Sequence, residues 1–114
     1  MEPKHFLNFE KISNQEFVSI IERGIELKNS NETEKTLKGK ILGLVFEQPS
    51  TRTRVSFEVG INDLGGSSIF LSGSELQLSR GEPISDTAKV LSSMLDVIVL
   101  RTDNHEKLEI FSQN

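Results

Sequence analysis

The residues best placed to do chemistry lie in one run, Ser50-Thr51-Arg52-Thr53-Arg54, inside the stretch FEQPSTRTRVSFEVG (residues 46–60). Hydroxyls and guanidinium groups in direct succession form a dense set of hydrogen-bond donors. Each hydroxyl can donate one bond, and a guanidinium presents a planar fork that takes two oxygens of a phosphate or carboxylate at once. A further arginine, Arg101, follows the apolar run Asp96–Leu100 (DVIVL). Groups of this kind suit a small phosphorylated or carboxylated ligand. Neither G-x-x-x-x-G-K-S/T nor G-x-G-x-x-G occurs in the chain, so the nucleotide fingerprints do not apply.

The remainder of the sequence makes this cationic cluster local. The chain has 114 residues, enough for one modest domain, and a formal net charge of −4. An acidic balance argues against general affinity for nucleic acid or anionic membranes, which needs a broad basic face. With no cysteine there is no disulfide framework, thiolate metal site or thiol nucleophile. No apolar run approaches the roughly 20 residues that span a bilayer. The opening MEPKHFLNFEK is too polar for the apolar core of a signal peptide, so a cytoplasmic location is expected.

The elements that must position the cluster follow from periodicity. Ser13–Lys28 reads as an amphipathic helix, opened by a Ser13/Glu16 capping box and striped by Phe17, Ile20, Ile21, Ile25 and Leu27. Asn29–Lys38 is polar and expected to be a loop. Lys40–Glu47 (KILGLVFE) is a near-continuous apolar run, the pattern of a strand buried on both faces of a parallel sheet. Pro49 ends it, and Thr51–Leu64 is expected to be a helix with Val55, Phe57, Val59 and Leu64 turned partly inward. Gly65-Gly66 closes that helix. Ser67–Ser72 reads as a second strand, Gly73–Pro83 as a loop, Asp86–Leu95 as a helix capped by Ser85, and Asp96–Leu100 as a third strand. Another helix starts near Lys107. The alternation predicts an α/β fold: a doubly wound parallel sheet with helices on both faces and right-handed crossovers. Ligands of such sheets bind beyond the carboxyl ends of the strands, where both STRTR and Arg101 fall.

A helix N-terminus there has free N–H groups and a partial positive charge that attract phosphate. Ser50, Thr51, Thr53 and Arg52 would add donors, with Arg101 clamping from another strand. The plainer alternative is that Ser50 only caps the helix and the arginines are solvated. Arg54 falls on a different helix face from Arg52 and is expected to pair with Glu58 at i+4. His5 and His105 are expected to be surface or capping residues, and Glu82 and Asp86 to order a loop or cap a helix.

FEQPSTRTRVSFE resembles the F-E-x-x-S-T-R-T-R-x-S-F-E signature of the aspartate/ornithine carbamoyltransferase family. Leu64-Gly65-Gly66, GEPISDTAKVLS and DVIVLRT follow in the family's order, so the resemblance covers essentially the whole chain. Val55–Gly60, and Arg80 in Gln77-Leu78-Ser79-Arg80-Gly81-Glu82 where aspartate enzymes place a catalytic lysine, are more similar to the ornithine branch. A putrescine-type enzyme shares much of this half.

The resemblance implies transfer of the carbamoyl group of carbamoyl phosphate to an amine, giving citrulline from L-ornithine in arginine biosynthesis or catabolism, without metal or organic cofactor. It implies that Ser50, Thr51, Arg52 and Thr53 bind the phosphate, and that Arg101 reaches both phosphate and carbonyl oxygen, with Arg52, Thr53 and Arg101 as catalytic groups. Gln77 would contact carbamoyl phosphate in a neighbouring subunit of a homotrimer. Family members have two domains and are several times longer. Residues 1–114 are thus expected to form part of a carbamoyl phosphate-binding domain, inactive alone, lacking the H-P-x-Q-x-L-x-D segment and the ornithine-binding domain. A non-catalytic phosphate-binding or oligomerisation module is the rival expectation.

Overall fold

The chain folds as two compact units, Met1–Thr33 and Glu34–Asn114. The computed structural model describes residues 4–29, 35–72 and 84–114. In the first unit the amphipathic pattern becomes α1 (Asn14–Asn29). The expected capping box forms in part: Ser13 Oγ accepts from the Glu16 N–H at 3.1 Å. Ahead of the helix, Phe6 meets Phe9 edge-on and Phe9 meets Phe17 edge-on, with centroids 5.8 and 5.4 Å apart. None of the α1 residues is buried.

The second unit is built on three parallel strands: β1 (Ile41–Phe46), β2 (Ser67–Ser72) and β3 (Val97–Arg101), in the order β2-β1-β3. The near-continuous apolar run is indeed the central strand, with Leu42 through Phe46 all buried. Its two faces differ. Leu42, Leu44 and Phe46 pack with Ile61 of α2 (Thr51–Asp63), joined by Leu37, Phe70 and Val99. On the opposite face a Cβ at Gly43 would run into the end of the Leu95 side chain, so glycine here lets Leu95 pack close against the strand, and a larger residue would have to displace it. Leu95 follows α3 (Ile84–Met94), which packs against α4 (His105–Gln113).

This connectivity follows from handedness. The chain leaves β1 through α2 to β2 on one side, then passes back across β1 through α3 to β3 on the other. Right-handed crossovers in opposite directions put α2 and α3 on opposite faces of the sheet. The expected doubly wound α/β architecture is what forms. Register is fixed where the strands begin: Asp96 Oδ2 accepts from the Ile41 N–H at 2.8 Å, while the Asp96 N–H donates to Ile41 O at 3.0 Å.

Two expectations need correction. Val55, Phe57 and Val59 do not turn inward: they are 50%, 41% and 54% exposed, and Ile61 is the buried residue of α2. Positions 55, 57 and 59 alternate with period two and cannot share one face of a 3.6-residue helix. Ser85 does not cap α3, because the helix already includes Ile84 and Ser85 lies within its first turn. At the end of α2, Gly65 has φ +90, the left-handed conformation expected of a glycine closing a helix.

Candidate anion-binding site

Strand β1 ends at Phe46, and α2 starts at Thr51. The four residues between them carry the chain over the carboxyl edge of the sheet, with Ser50 extended at φ −154 in the N-cap position. Ser50 does not act as a cap. No side-chain hydrogen bond closes the helix start, and Ser50 Oγ instead donates to Thr53 Oγ1 at 2.9 Å. The first-turn N–H groups of an α-helix have no intrahelical acceptor. Here the usual side-chain acceptor is turned aside, and the partial positive charge of the helix end is left open to an external anion.

Arg101 occupies the last position of β3, opposite Phe46 in the parallel register. Residues paired across a sheet share a face, so Arg101 lies on the face that carries α2. The Glu47 N–H donates to Arg101 O at 3.0 Å, which ties the start of the β1–α2 connection to the end of β3. At this pair of strands the chain diverges: β1 leads to α2 on one face, and β3 leads to α4, which packs with α3. Strand order reverses here, so the crevice beyond β1 and β3 is the topological switch point where open α/β sheets bind ligands.

The two rim arginines are exposed, and among the described residues neither Arg52 nor Arg101 has an ion-pair partner. Arg54 behaves otherwise. As its spacing predicts, its Nε meets Glu58 Oε1 at 3.2 Å, and its guanidinium carbon lies 3.7 Å from the Phe70 ring centroid. The STRTR run therefore separates into one free cation and one neutralised cation. Ser50 and Thr53 are half-buried, and Thr51 is exposed. Gln77, with Arg80 and Glu82, lies outside the described residues.

Glu47 was not singled out by sequence reasoning. Its Oε2 accepts from Lys107 Nζ of α4 at 2.7 Å, with the two side chains only 18% and 23% exposed. Its Oε1 is buried without a hydrogen-bond partner. A charged residue immediately after a buried strand was the available signal, but its partner is 60 positions away. Elsewhere, Asn104 caps α4 by accepting from the Glu106 N–H at 2.9 Å, and His105 Nε2 lies 3.5 Å from Glu109 Oε1 on the surface. His5 and Asp86 are exposed. No group of three or more His, Cys, Asp or Glu side chains that could hold a metal occurs among the described residues, and no described helix is long and apolar enough to cross a membrane.

Comparison with known proteins is consistent along the chain. The family model described as "Aspartate/ornithine carbamoyltransferase, carbamoyl-P binding domain" matches residues 4–114. The ornithine carbamoyltransferase of Methylococcus capsulatus is 55% identical over 113 residues, which is 99% of this chain and 38% of that protein. The crystal structure of anabolic ornithine carbamoyltransferase from Campylobacter jejuni superposes with a TM-score of 0.91 at 44% identity, covering 97% of this chain and 36% of that one. The catalytic subunit of M. jannaschii aspartate transcarbamoylase also superposes, with a TM-score of 0.82 at 36% identity over 97% of this chain and 38% of that one. The chain thus spans little more than a third of the length of these relatives. It belongs to the aspartate/ornithine carbamoyltransferase family, within which it corresponds to the carbamoyl phosphate-binding domain.

Proposed function

We propose that the protein carrying this chain is an ornithine carbamoyltransferase, and that these residues supply its carbamoyl phosphate half-site. In this reaction the neutral δ-amine of L-ornithine attacks the carbonyl carbon of carbamoyl phosphate. A C–N bond forms, the C–O bond to phosphate breaks, the amine loses a proton, and citrulline and phosphate are released. Negative charge grows on the carbonyl oxygen and on the departing phosphate. Donors fixed in advance around those oxygens are commonly the largest catalytic contribution, and holding both substrates together adds to it.

The observation that carries the proposal is an uncapped helix start at one switch point with two arginines that, among the described residues, have no ion-pair partner. Ser50, Thr51 and Thr53, with the N–H groups of α2, are assigned to the phosphate. Arg52 is assigned to the same group as a two-point clamp, and Arg101 to both phosphate and carbonyl oxygen. Arg52, Thr53 and Arg101 are the catalytic residues on this assignment. Gln77 is assigned to carbamoyl phosphate bound by an adjacent subunit of a homotrimer. The amine-binding groups are expected in the part of the relatives' length that this chain does not span.

The choice of ornithine over aspartate rests on the relatives named above and on Arg80 standing where aspartate enzymes carry lysine. The test is a product assay on the protein expressed from its complete reading frame, with carbamoyl phosphate and L-ornithine, L-aspartate or putrescine as acceptors. Citrulline formation with ornithine at least a hundredfold above the other acceptors is expected. Carbamoyl transfer to aspartate or putrescine in preference to ornithine refutes the assignment of the acceptor, and no transfer to any amine refutes the enzyme.

A further inference from the structure

The connection from Glu47 to Thr53 is held at both ends by one aromatic ring. At its start, Phe46, which is 2% exposed, meets Phe70 of β2 edge-on, with centroids 5.5 Å apart and planes at 73°. At its far end, the Arg54 guanidinium lies over the same Phe70 ring at 3.7 Å. Glu58, one turn further along α2, accepts from Arg54 Nε and keeps the guanidinium in place. Phe46 thus fixes where the cradle leaves the sheet, and Arg54 fixes where the cradle enters the helix.

The charge of Arg54 is matched by Glu58 and by the negative face of the ring, so it is directed away from ligand binding. Its planarity is what the site uses. A lysine would keep the charge but lose the flat stack on Phe70. Small displacements of a preorganised donor set are costly in rate, which makes the anchoring of this connection a functional matter.

From this geometry we infer that Arg54 is a positioning residue, which sets the placement of Ser50–Thr53 by stacking on Phe70 and never touches the anion. This assignment rests on the carbamoyl phosphate function proposed above. It is tested by steady-state kinetics in carbamoyl phosphate on the protein from its complete reading frame, as wild type, Arg54→Lys, Phe70→Leu, Phe70→Tyr and the Arg54→Lys/Phe70→Leu double variant. Circular dichroism confirms folding of each; Arg54→Lys alters a side chain that is 44% exposed and is the variant expected to fold without difficulty.

Arg54→Lys and Phe70→Leu are each expected to lower kcat/KM for carbamoyl phosphate about tenfold, with KM for the amine unchanged. The double variant should lose no more than either single one, because both remove the same contact. Phe70→Tyr, which keeps the ring, should remain within about twofold of wild type. Full activity in Arg54→Lys, or additive losses in the double variant, overturns the inference while leaving the proposed function intact. A wild-type protein that neither binds nor turns over carbamoyl phosphate overturns the proposed function, and this inference with it.

Discussion

Arg52 and Arg54 are two residues apart in one helix turn, yet their surroundings give them different tasks. Four positions beyond Arg54 stands Glu58, which neutralises it; four positions beyond Arg52 stands Ser56, which cannot. Among the described residues Arg52 has no ion-pair partner, which suits the anion contact proposed for it. Replacing it by lysine keeps a positive charge but removes the fork that grips two oxygens. Arg52→Lys is expected to lower kcat/KM for carbamoyl phosphate by about 10- to 100-fold, while thermal stability changes by less than about 0.5 kcal/mol, as for an exposed side chain. Kinetics and a melting curve on the same preparation check both halves. The Arg54–Glu58 pair was legible in the sequence because it is local, a spacing of four on a helix. The Phe70 ring beneath Arg54 was not, since nothing local brings β2 under the start of α2. The residue type alone does not distinguish a capping Ser50 from a non-capping one; in the structure its hydroxyl bonds to Thr53 and does not cap the helix.

At the level of elements, β1 is the structural centre and the element that delivers the cradle. Leu44 and Val45 are fully buried on opposite faces of it. Leu44→Ala is expected to cost about 2–5 kcal/mol, measured by chemical denaturation, because the sheet and α2 cannot collapse onto the void. A different cost is expected where β1 meets α4. Lys107→Met leaves the mostly buried Glu47 carboxylate without its ion partner, and should destabilise the fold by about 1–3 kcal/mol. Adding Glu47→Gln to that variant should restore part of the loss, since the unpaired charge is then gone. The strands were readable from their apolar runs, and the helix starts from Ser13 and from the break at Pro49. The buried side of α2 was misjudged because valine and phenylalanine at 55, 57 and 59 look like core residues, whereas helical geometry selects Ile61. Glu47–Lys107 escaped notice because a pair this distant in sequence leaves no periodic trace.

For the whole molecule, a formal net charge of −4 makes the cationic rim a local feature, which suits a site for one small anion better than a broad polyanion surface. The assembly proposed from family membership has a direct consequence. If the cradle of one subunit is completed by Gln77 of its neighbour, two inactive variants can repair each other. Arg52→Ala and Gln77→Ala proteins, dissociated and reassembled together in equal amounts, should recover about a quarter of wild-type sites, the product of two one-half probabilities. Recovery of nothing above the sum of the parents would argue that each site is built within one subunit. Family, fold class and the positions of the rim residues were visible in the order of motifs along the chain. The division into units and the exposure of every α1 residue were not, because an apolar stripe announces a helix but does not say what meets it.

The central claim is that the start of α2 and its free arginine form a carbamoyl phosphate site. Calorimetric titration with carbamoyl phosphate, comparing wild type with Arg52→Ala, tests it most directly. The expected result is saturable binding at one site per chain, weakened at least about tenfold by the substitution, as for loss of a charge-assisted two-point contact. Absence of saturable binding to the wild type, or equal affinity in the two proteins, would contradict it.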